Sequence, residues 1–350
     1  MGQGSVELDS EALISAQLRR LPKAGLSGKG QIRFPAVPSL VPEFVARLDT
    51  IFRSLGRTFS PADLDHLRTI LDRKAQEGFA QTPYGGLIVS YETNPLPKTG
   101  LSYKVGLVKT TMADEYAGWV KTRTPPLFGS HPDAKVMDLA SSLGAPAEAP
   151  VLDIGAGTGR NTLPLARAGH PAHAVEVSPD LVGILKAEIA QEGLALRVFE
   201  GDVLRDELEL PRDYYKLVIL CEVVSHFRHT DELHTLFERV TPLLAPGGLL
   251  AFSVFLPEAG YEPDAIAREF SQTTWCTLFT RADVERASAG RALELVSDES
   301  VFEYEKEHLP AEAWPPTGWF AEWTRGVDLF EMPVEDSPID MRWLVYRKAP

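Results

Sequence analysis

The sequence is poor in the features that mark secreted, metal-binding and membrane proteins. Its 350 residues include only two cysteines, Cys221 and Cys276, which excludes a disulfide framework and suggests a reducing compartment. No cluster of Cys and His has metal-ligand spacing. Apolar runs are shorter than ten residues, whereas a membrane-spanning helix needs about 18. The first residues lack a basic segment followed by an apolar one. We therefore expect a cytoplasmic protein with no metal and no membrane partner.

Basic residues are too sparse to suggest a nucleic-acid partner. The net charge is −14. Residues 1–125 hold 16 Lys and Arg against 12 Asp and Glu, a net +4, and the remainder holds 19 against 37, a net −18. Nucleic-acid binding needs a basic stripe that neutralises phosphates, and none is evident. An acidic surface favours solubility and is compatible with either a monomer or a homodimer.

The most informative segment is residues 151–161, which read Val-Leu-Asp-Ile-Gly-Ala-Gly-Thr-Gly-Arg-Asn. Its first four residues, Asp153 among them, are typical of the end of a buried parallel strand. Gly155, Gly157 and Gly159 predict a tight turn that lets the backbone approach a ligand. A helical pattern begins at Asn161. A strand, a glycine-rich turn and a helix N-terminus together predict a site for a polar ligand at the carboxyl edge of a sheet.

The spacing of the glycines argues against two nucleotide-binding motifs. A dinucleotide fingerprint needs G-x-G-x-x-G, but the sixth position is Arg160 or Thr162 in the two possible registers. A P-loop would need a following G-K-[ST], which is missing. The pattern D-x-G-x-G-x-G resembles motif I of the class I S-adenosylmethionine (SAM) methyltransferases. By itself such a turn is equally compatible with a structural loop.

Four further segments follow in the order and at the distances of that family, so that the resemblance spans about 100 residues. They are the strand 173–177, the segment 198–203, the strand 217–222 and the turn 243–250. In this family Glu176 would accept the ribose hydroxyls, Asp202 would bind the adenine amino group and Val203 would pack on the adenine ring. Glu176 could instead be a solvated acid before the helix cap at Ser178.

The resemblance implies SAM as cofactor and S-adenosylhomocysteine (SAH) as product. The cofactor-binding residues that we expect are Asp153, Gly155, Ala156, Gly157, Gly159, Asn161, Glu176, Val177, Asp202, Val203, Cys221 and Arg123. The implied fold class is α/β, a Rossmann-like, doubly wound sheet of seven strands, mostly parallel with an antiparallel last strand. We expect this domain over residues 130–350, with insertions after strands five and six, and a helical plus β-hairpin module over 1–129 that acts as a lid or a docking surface.

Residues after the fourth strand are the candidates for acting on the methyl acceptor. His226 is the first candidate for a general base or a substrate hydrogen bond, because its ordinary pKa lies near neutrality. It could equally cap the next helix or shape the adenine pocket. Glu222 is the second candidate and could instead orient the amino group of the cofactor. A helix carrying Tyr116 and Trp119, with Arg123 beyond it, could form a lid or could simply pack in the core. The aromatic cluster over 314–323 favours packing at the sheet edge over an acceptor pocket.

The sequence therefore predicts a SAM-dependent methyltransferase that modifies an oxygen or nitrogen of a small molecule, with a natural-product intermediate as one candidate. Two alternatives stay open. One is methylation of a peptide or protein, with the N-terminal module as docking surface, and the other is a non-catalytic SAM- or SAH-binding regulatory protein.

Overall fold

A computed structural model describes residues 9–18, 20, 28–94, 100–205 and 208–350. The chain divides into two compact units, residues 1–111 and 112–350. The sequence-based boundary at 129/130 differs from this division by 18 residues. The helix Met112–Thr122 accounts for the difference, because it packs against the helix Pro179–Glu192 of the second unit.

The first unit combines a small sheet with helices. Its elements are α1 (Ser10–Leu18), β1 (Lys29–Pro35), α2 (Val41–Ser54), α3 (Pro61–Gln81), β2 (Gly86–Thr93) and β3 (Leu101–Val108). The predicted hairpin is the β2–β3 pair, but the sheet has a third strand, since β1 pairs antiparallel with β2. The several prolines and glycines of residues 22–42 predict a loop, and this prediction is wrong for β1. Proline and glycine around β1 obscured the alternation that places Ile32 and Phe34 on one face.

Helix α3 begins where its sequence indicates. Ser60 accepts a hydrogen bond from the backbone N–H of Asp63, and the Asp63 carboxylate accepts one from the backbone N–H of Ser60. This reciprocal cap satisfies two helix donors that would otherwise lack partners. The amphipathic pattern of residues 5–21 predicts a helix, which the structure describes for Ser10–Leu18. The other residues of this segment, apart from Asp9 and Arg20, lie outside the described part of the chain.

The second unit alternates strands and helices. Its elements are α4 (Met112–Thr122), α5 (Ala134–Ser141), β4 (Val151–Ile154), α6 (Thr162–Arg167), β5 (Ala172–Glu176), α7 (Pro179–Glu192), β6 (Leu196–Glu200), β7 (Tyr215–Leu220), α8 (Thr230–Val240), β8 (Leu244–Pro257), α9 (Ala265–Thr273), α10 (Arg281–Ser288), β9 (Leu293–Ser300), α11 (Val301–His308), α12 (Phe320–Trp323), α13 (Val327–Phe330) and β10 (Ile339–Lys348).

Seven of these strands form one sheet in the order β6-β5-β4-β7-β8-β10-β9. The strands β4 to β8 pair in parallel, and β10 runs antiparallel to both of its neighbours. The order reverses direction between β4 and its neighbours β5 and β7, and such a point creates a crevice at the carboxyl ends of the strands. The predicted fold class, including the antiparallel last strand, is confirmed.

Helices cover both faces of this sheet, as a mostly parallel sheet requires. On one face, α8 and α10 pack on side chains such as Val218 and Phe252. On the other face, α5, α11 and α12 pack on side chains such as Leu217 and Trp343. No helix in the described part of the chain combines the length and apolarity needed to cross a membrane.

Strand β9, the sixth strand of the large sheet in chain order, is shorter than predicted. The sequence of residues 294–305 predicts a strand, but β9 ends at Ser300 and residues 301–308 form helix α11. Ser300 caps that helix by accepting a hydrogen bond from the backbone N–H of Glu303. Glu305 on α11 is buried and accepts hydrogen bonds from the backbone N–H groups of Ala134 and Lys135, at the start of α5. This buried acid therefore fixes the helix in place of a longer strand.

Candidate functional site

The glycine turn after β4 is built as its sequence predicts. Gly155, Gly157 and Gly159 all have positive φ, at +75°, +57° and +94°. A Cβ on Gly155 would collide with the side chain of Val223, and a Cβ on Gly159 would lie 2.6 Å from Leu185 Cδ1. At Gly157 the nearest atom would be 3.4 Å away. The first and third glycines are thus required by packing, whereas Gly157 has more room around it.

Glu176, at the end of β5, lies directly against this turn. Its Oε2 accepts a 2.8 Å hydrogen bond from the backbone N–H of Gly157, and Oε1 accepts one of 2.8 Å from the backbone N–H of Ser178. Glu176 is 4% exposed, and burial raises the pKa of this carboxyl against the opposing effect of both N–H groups. Each oxygen retains capacity to accept a hydrogen bond from a ligand hydroxyl.

Asp153 is buried at the end of β4 and contacts the start of helix α6, on the other side of the glycine turn. It is 2% exposed and accepts a 2.5 Å hydrogen bond from the hydroxyl of Thr162, at the start of α6. Burial raises the pKa of Asp153 to about 7, while Thr162 and Arg160 act in the opposite direction. Its contacts within the described residues place Asp153 under the turn, as a brace between the strand and the helix.

Arg160 and Asn161 join the turn to the residue that precedes α5. Arg160 Nη1 donates a 2.5 Å hydrogen bond to the Asp133 carboxylate, and Asn161 Nδ2 donates one of 2.8 Å to the same carboxylate. The amide oxygen of Asn161 accepts a 2.9 Å hydrogen bond from the backbone N–H of Asp133. Arg160 Nη2 also contacts Glu222 Oε1 at 2.7 Å. Burial alone would lower the pKa of Arg160, but Asp133 and Glu222 outweigh it, so Arg160 is a permanent cation.

Glu222 and Cys221 follow β7 and complete this buried group. Glu222 has a left-handed backbone, with φ at +61°. Burial raises the pKa of Glu222 to about 7, although Arg160 opposes the shift. Burial also raises the pKa of Cys221 well above its ordinary value, and Asp133 and Asp153 add to this effect. Cys221 is therefore a neutral thiol at neutral pH and not a nucleophile.

Asp202 lies in the loop after β6. Its Oδ1 accepts a 2.8 Å hydrogen bond from the backbone N–H of Leu204, and its Oδ2 lies 3.2 Å from Arg205 Nε. The loop is tied to β5, because the backbone N–H of Gly201 donates to the carbonyl of Glu176. Val203 is buried, whereas Val177, just after β5, is half exposed. The apolar surface of Val177 is thus available to a ligand beside Glu176.

His226 lies in a cluster of aromatic side chains. Its Nε2 is 3.2 Å from the hydroxyl of Tyr116 on α4, and its ring is 5.1 Å from that of Trp275. Trp275 stacks on Trp119 at 4.9 Å, and both Tyr116 and Trp119 contact Phe128. Burial lowers the pKa of His226 to about 4, so its imidazole is neutral at pH 7.

This aromatic cluster reaches the glycine turn through Phe128. The Phe128 ring is the neighbour that a Cβ on Gly157 would meet. Arg123 is exposed and lies over the Trp119 ring at 3.6 Å, so its guanidinium belongs to the cluster rather than to the glycine turn. Its predicted contact with the cofactor stays a prediction.

Trp275 is a residue that the sequence-based reasoning missed. It has a left-handed backbone, with φ at +62°, which is rare for a large side chain. Its carbonyl accepts a hydrogen bond from Trp323 Nε1, and the next two N–H groups donate to the carbonyls of Ser271 and Ser225. No local motif signals this position, since its contacts come from distant parts of the chain.

Aromatic side chains of the Trp314–Trp323 segment pack against the core. Trp323 contacts Phe255 of β8 edge-on at 5.3 Å, and Trp314 contacts Phe302 at the same distance. These contacts favour the packing role over an acceptor pocket. No group of His, Cys, Asp and Glu in the part of the chain that the structure describes has the arrangement of a metal site.

Comparison with known proteins agrees with this geometry. Residues 151–248, from β4 to the first residues of β8, match the family model described as a methyltransferase domain. The match covers the glycine turn, Glu176, Asp202 and Glu222. Over these residues the chain is similar to methyltransferase domains.

The curated relatives that match this chain are distant. A protein of Geobacillus sp. (strain WCH70), provisionally named a methyltransferase, is 27% identical over 135 residues, which are 39% of this chain and 50% of the relative. The uncharacterized methyltransferase YodH of Bacillus subtilis (strain 168) is 27% identical over 124 residues, 35% of this chain and 51% of YodH. The chain thus spans about half the length of the curated relatives it matches.

A solved structure similar to this chain is geranyl diphosphate C-methyltransferase from Streptomyces coelicolor A3(2), in complex with Mg²⁺, geranyl diphosphate and SAH. It is 15% identical, with a TM-score of 0.48, over 62% of this chain and 80% of that chain.

Proposed function

We propose that this chain binds SAM and transfers its methyl group to an oxygen or nitrogen of a small molecule. The hydrogen bond from Gly157 to Glu176 is the observation that carries the proposal. It holds a carboxylate beside a glycine turn whose N–H groups and open backbone suit a nucleoside. The match of residues 151–248 to a methyltransferase domain supports SAM as that nucleoside.

The residues present fit the cofactor. Glu176 would hold the ribose hydroxyls, because its oxygens have spare acceptor capacity and lie on the glycine turn. Half-exposed Val177 and the loop of Asp202 and Val203 would hold the adenine. Gly155, Ala156, Gly157 and Gly159 would supply the backbone cradle, with Asp153 and Asn161 bracing it from behind.

SAM, when bound, supplies an electrophilic methyl group on a sulfonium. The chain must then align the acceptor lone pair, exclude water and remove any proton from the acceptor. The aromatic cluster of Tyr116, Trp119, Phe128, His226 and Trp275 would exclude water, because its rings pack edge-on and stacked around one another.

His226 would orient the acceptor through a neutral imidazole. A neutral ring has one nitrogen that accepts a hydrogen bond, and this nitrogen can take a proton from an acceptor hydroxyl or amine as transfer proceeds. Since the pKa of His226 is lowered to about 4, the ring needs no deprotonation at neutral pH. Glu222 lies four residues earlier and is bound by Arg160, so we assign it to the cofactor side of the site.

The test is a panel of acceptors incubated with SAM, with SAH release as the readout. Small phenols, alcohols and amines form one arm, a peptide library forms the second, and no acceptor forms the third. Release that depends on a small molecule is expected. Release with peptides alone would favour the protein methyltransferase alternative. SAM binding without release in any arm would favour the non-catalytic alternative.

A matched pair of variants links this activity to the site. His226→Gln should lower turnover at least tenfold with little change in SAM affinity. His229→Gln, an exposed histidine in the same loop, should change neither. Unchanged turnover in His226→Gln would remove this residue from the mechanism.

A further inference from the structure

Arg160 links three separate segments of the methyltransferase domain. It lies in the glycine turn, contacts Asp133 before α5 and contacts Glu222 after β7. Its side chain is 8% exposed and that of Asp133 is 3% exposed. Removing one partner from such a buried pair leaves an uncompensated charge, which is far more costly than losing a surface pair.

Glu222 is held by three independent contacts. Its backbone N–H donates a 2.7 Å hydrogen bond to Ser253 Oγ, its carbonyl accepts one of 2.8 Å from Ser225 Oγ, and its carboxylate contacts Arg160. Its left-handed backbone is unfavourable for a non-glycine residue and persists only where the surroundings enforce it. The next residue, Val223, lies against Gly155. The exit of β7 is therefore fixed on the glycine turn.

We propose that Arg160 is a positioning residue for the cofactor site that acts through Glu222. By bridging Asp133 and Glu222, it keeps an ionised carboxylate beside the glycine turn, where it can bind a cationic group of the cofactor. SAM carries two such groups, an ammonium and a sulfonium. The inference rests on the proposed function, because it names SAM as the ligand that benefits from this charge.

The charges around Glu222 support this role. The charges of two neighbouring groups shift the pKa of Glu222: the Arg160 cation lowers it and the Asp133 carboxylate raises it. Cys221 is adjacent but stays protonated, because burial raises the pKa of its thiol. With Arg160 replaced by an apolar side chain, the remaining Asp133 carboxylate would favour the protonated, neutral form of Glu222. That form would not attract the cofactor.

The experiment is a calorimetric titration of SAM into the full chain between pH 6 and pH 9. The variants are Arg160→Met, Glu222→Gln and the double variant. The control is Arg167→Met, at the end of the helix α6 that follows the glycine turn, because its pair with Glu192 is at the surface. Arg160→Met should weaken SAM binding by at least about tenfold at pH 7.5, as expected for loss of a contact to a charged group.

The pH profile separates positioning from mere stability. The SAM affinity of Arg160→Met should keep rising towards pH 9, because Glu222 then ionises at a higher pH than in the wild type. The wild-type affinity should level off near pH 8. Glu222→Gln and the double variant should bind SAM equally and with the same pH profile, since Arg160 acts through Glu222. Arg167→Met should match the wild type within about twofold.

Two results would overturn the inference. One is additive losses in the double variant, and the other is a wild-type pH profile in Arg160→Met. If Arg160→Met does not fold, Arg160→Lys takes its place, because lysine keeps the charge without the planar two-sided contact. Its SAM affinity should fall at least about threefold, and Glu222→Gln should bind SAM equally with and without Arg160→Lys. Wild-type protein that does not bind SAM would overturn the proposed function together with this inference, whereas additive losses would overturn this inference alone.

Discussion

The backbone N–H of Gly157 donates a 2.8 Å hydrogen bond to Glu176 Oε2, across 19 residues of sequence. This bond joins the turn after the first strand of the large sheet to the end of the second. Both strands are buried and parallel, so their carboxyl ends lie side by side at the same edge. The two elements that the proposed function needs for a nucleoside are thus in direct contact.

Replacing Glu176 by glutamine should test that contact. The amide keeps the shape of the side chain but loses its charge. Its NH₂ group cannot accept a hydrogen bond, so it would face one of the two backbone N–H groups, of Gly157 or Ser178, that now donate to the carboxylate. We expect SAM affinity to fall by at least about tenfold, in line with about 1.5–3 kcal/mol for a hydrogen bond to a charged group. Glu200→Gln is the control, since Glu200 is exposed at the end of the neighbouring strand β6. Calorimetry that finds equal affinity in the two variants would remove Glu176 from the site.

Alanine at Gly155 should destabilise the fold through two separate effects. Its φ of +75° disfavours any Cβ, and that Cβ would also collide with Val223. Gly169→Ala isolates the first effect, because Gly169 has φ of +96° but its nearest contact would be 3.8 Å away. We expect a cost of about 1–2 kcal/mol in Gly169→Ala from backbone strain.

Gly155→Ala should cost about 1–3 kcal/mol more, through overpacking. Adding Val223→Ala should restore part of the difference, because it removes the clashing methyl groups. Denaturant unfolding of the three variants gives these values. Equal stability of Gly155→Ala and Gly169→Ala would show that the contact with Val223 is not limiting.

The neutral state of His226 predicts a loss of stability in acid. Its pKa is lowered from 6.5 to about 4 in the folded chain. The contribution of a histidine that is buried in its neutral form is complete above pH 6.5 and is lost as the pH falls towards 4. It should amount to at most about 3 kcal/mol. His226→Gln should therefore lose less stability than the wild type between pH 6.5 and pH 4.

Urea unfolding at several pH values measures this difference. His229→Gln, with its exposed ring, should follow the wild-type curve. If His226→Gln and the wild type lose stability in parallel, the ring of His226 is already protonated or solvated in the folded chain.

Local sequence patterns predicted the large sheet well. The glycines of the turn, the apolar strand of residues 151–154 and the capping residue Ser178 are short-range signals, and the structure has each where expected. The parallel order follows from the alternation of such segments. Strand β1 was not predicted, because its pairing with β2 joins residues about 60 positions apart and because its neighbourhood is rich in glycine and proline.

The site was predictable only in part, for the same reason. Glu222 and His226 follow a predicted strand, so their neighbourhood could be inferred. The ion pairs of Arg160 join residues 133, 160 and 222, and the stack of Trp275 on Trp119 joins residues that are even further apart in the sequence. One signal for Arg160 was present, because it follows a predicted buried strand closely, and an arginine that is buried needs carboxylate partners.

The most direct test of the central claim is a titration of the wild-type chain with SAM, SAH and NAD, followed by calorimetry and thermal unfolding. We predict that SAM and SAH bind and raise the unfolding temperature by several degrees. At a ligand concentration of about 100 times Kd, the gain in stability should be roughly 2.7 kcal/mol. NAD should produce no shift, because the glycine spacing does not fit a dinucleotide. A shift with NAD alone, or no shift with SAM and SAH, would contradict the account.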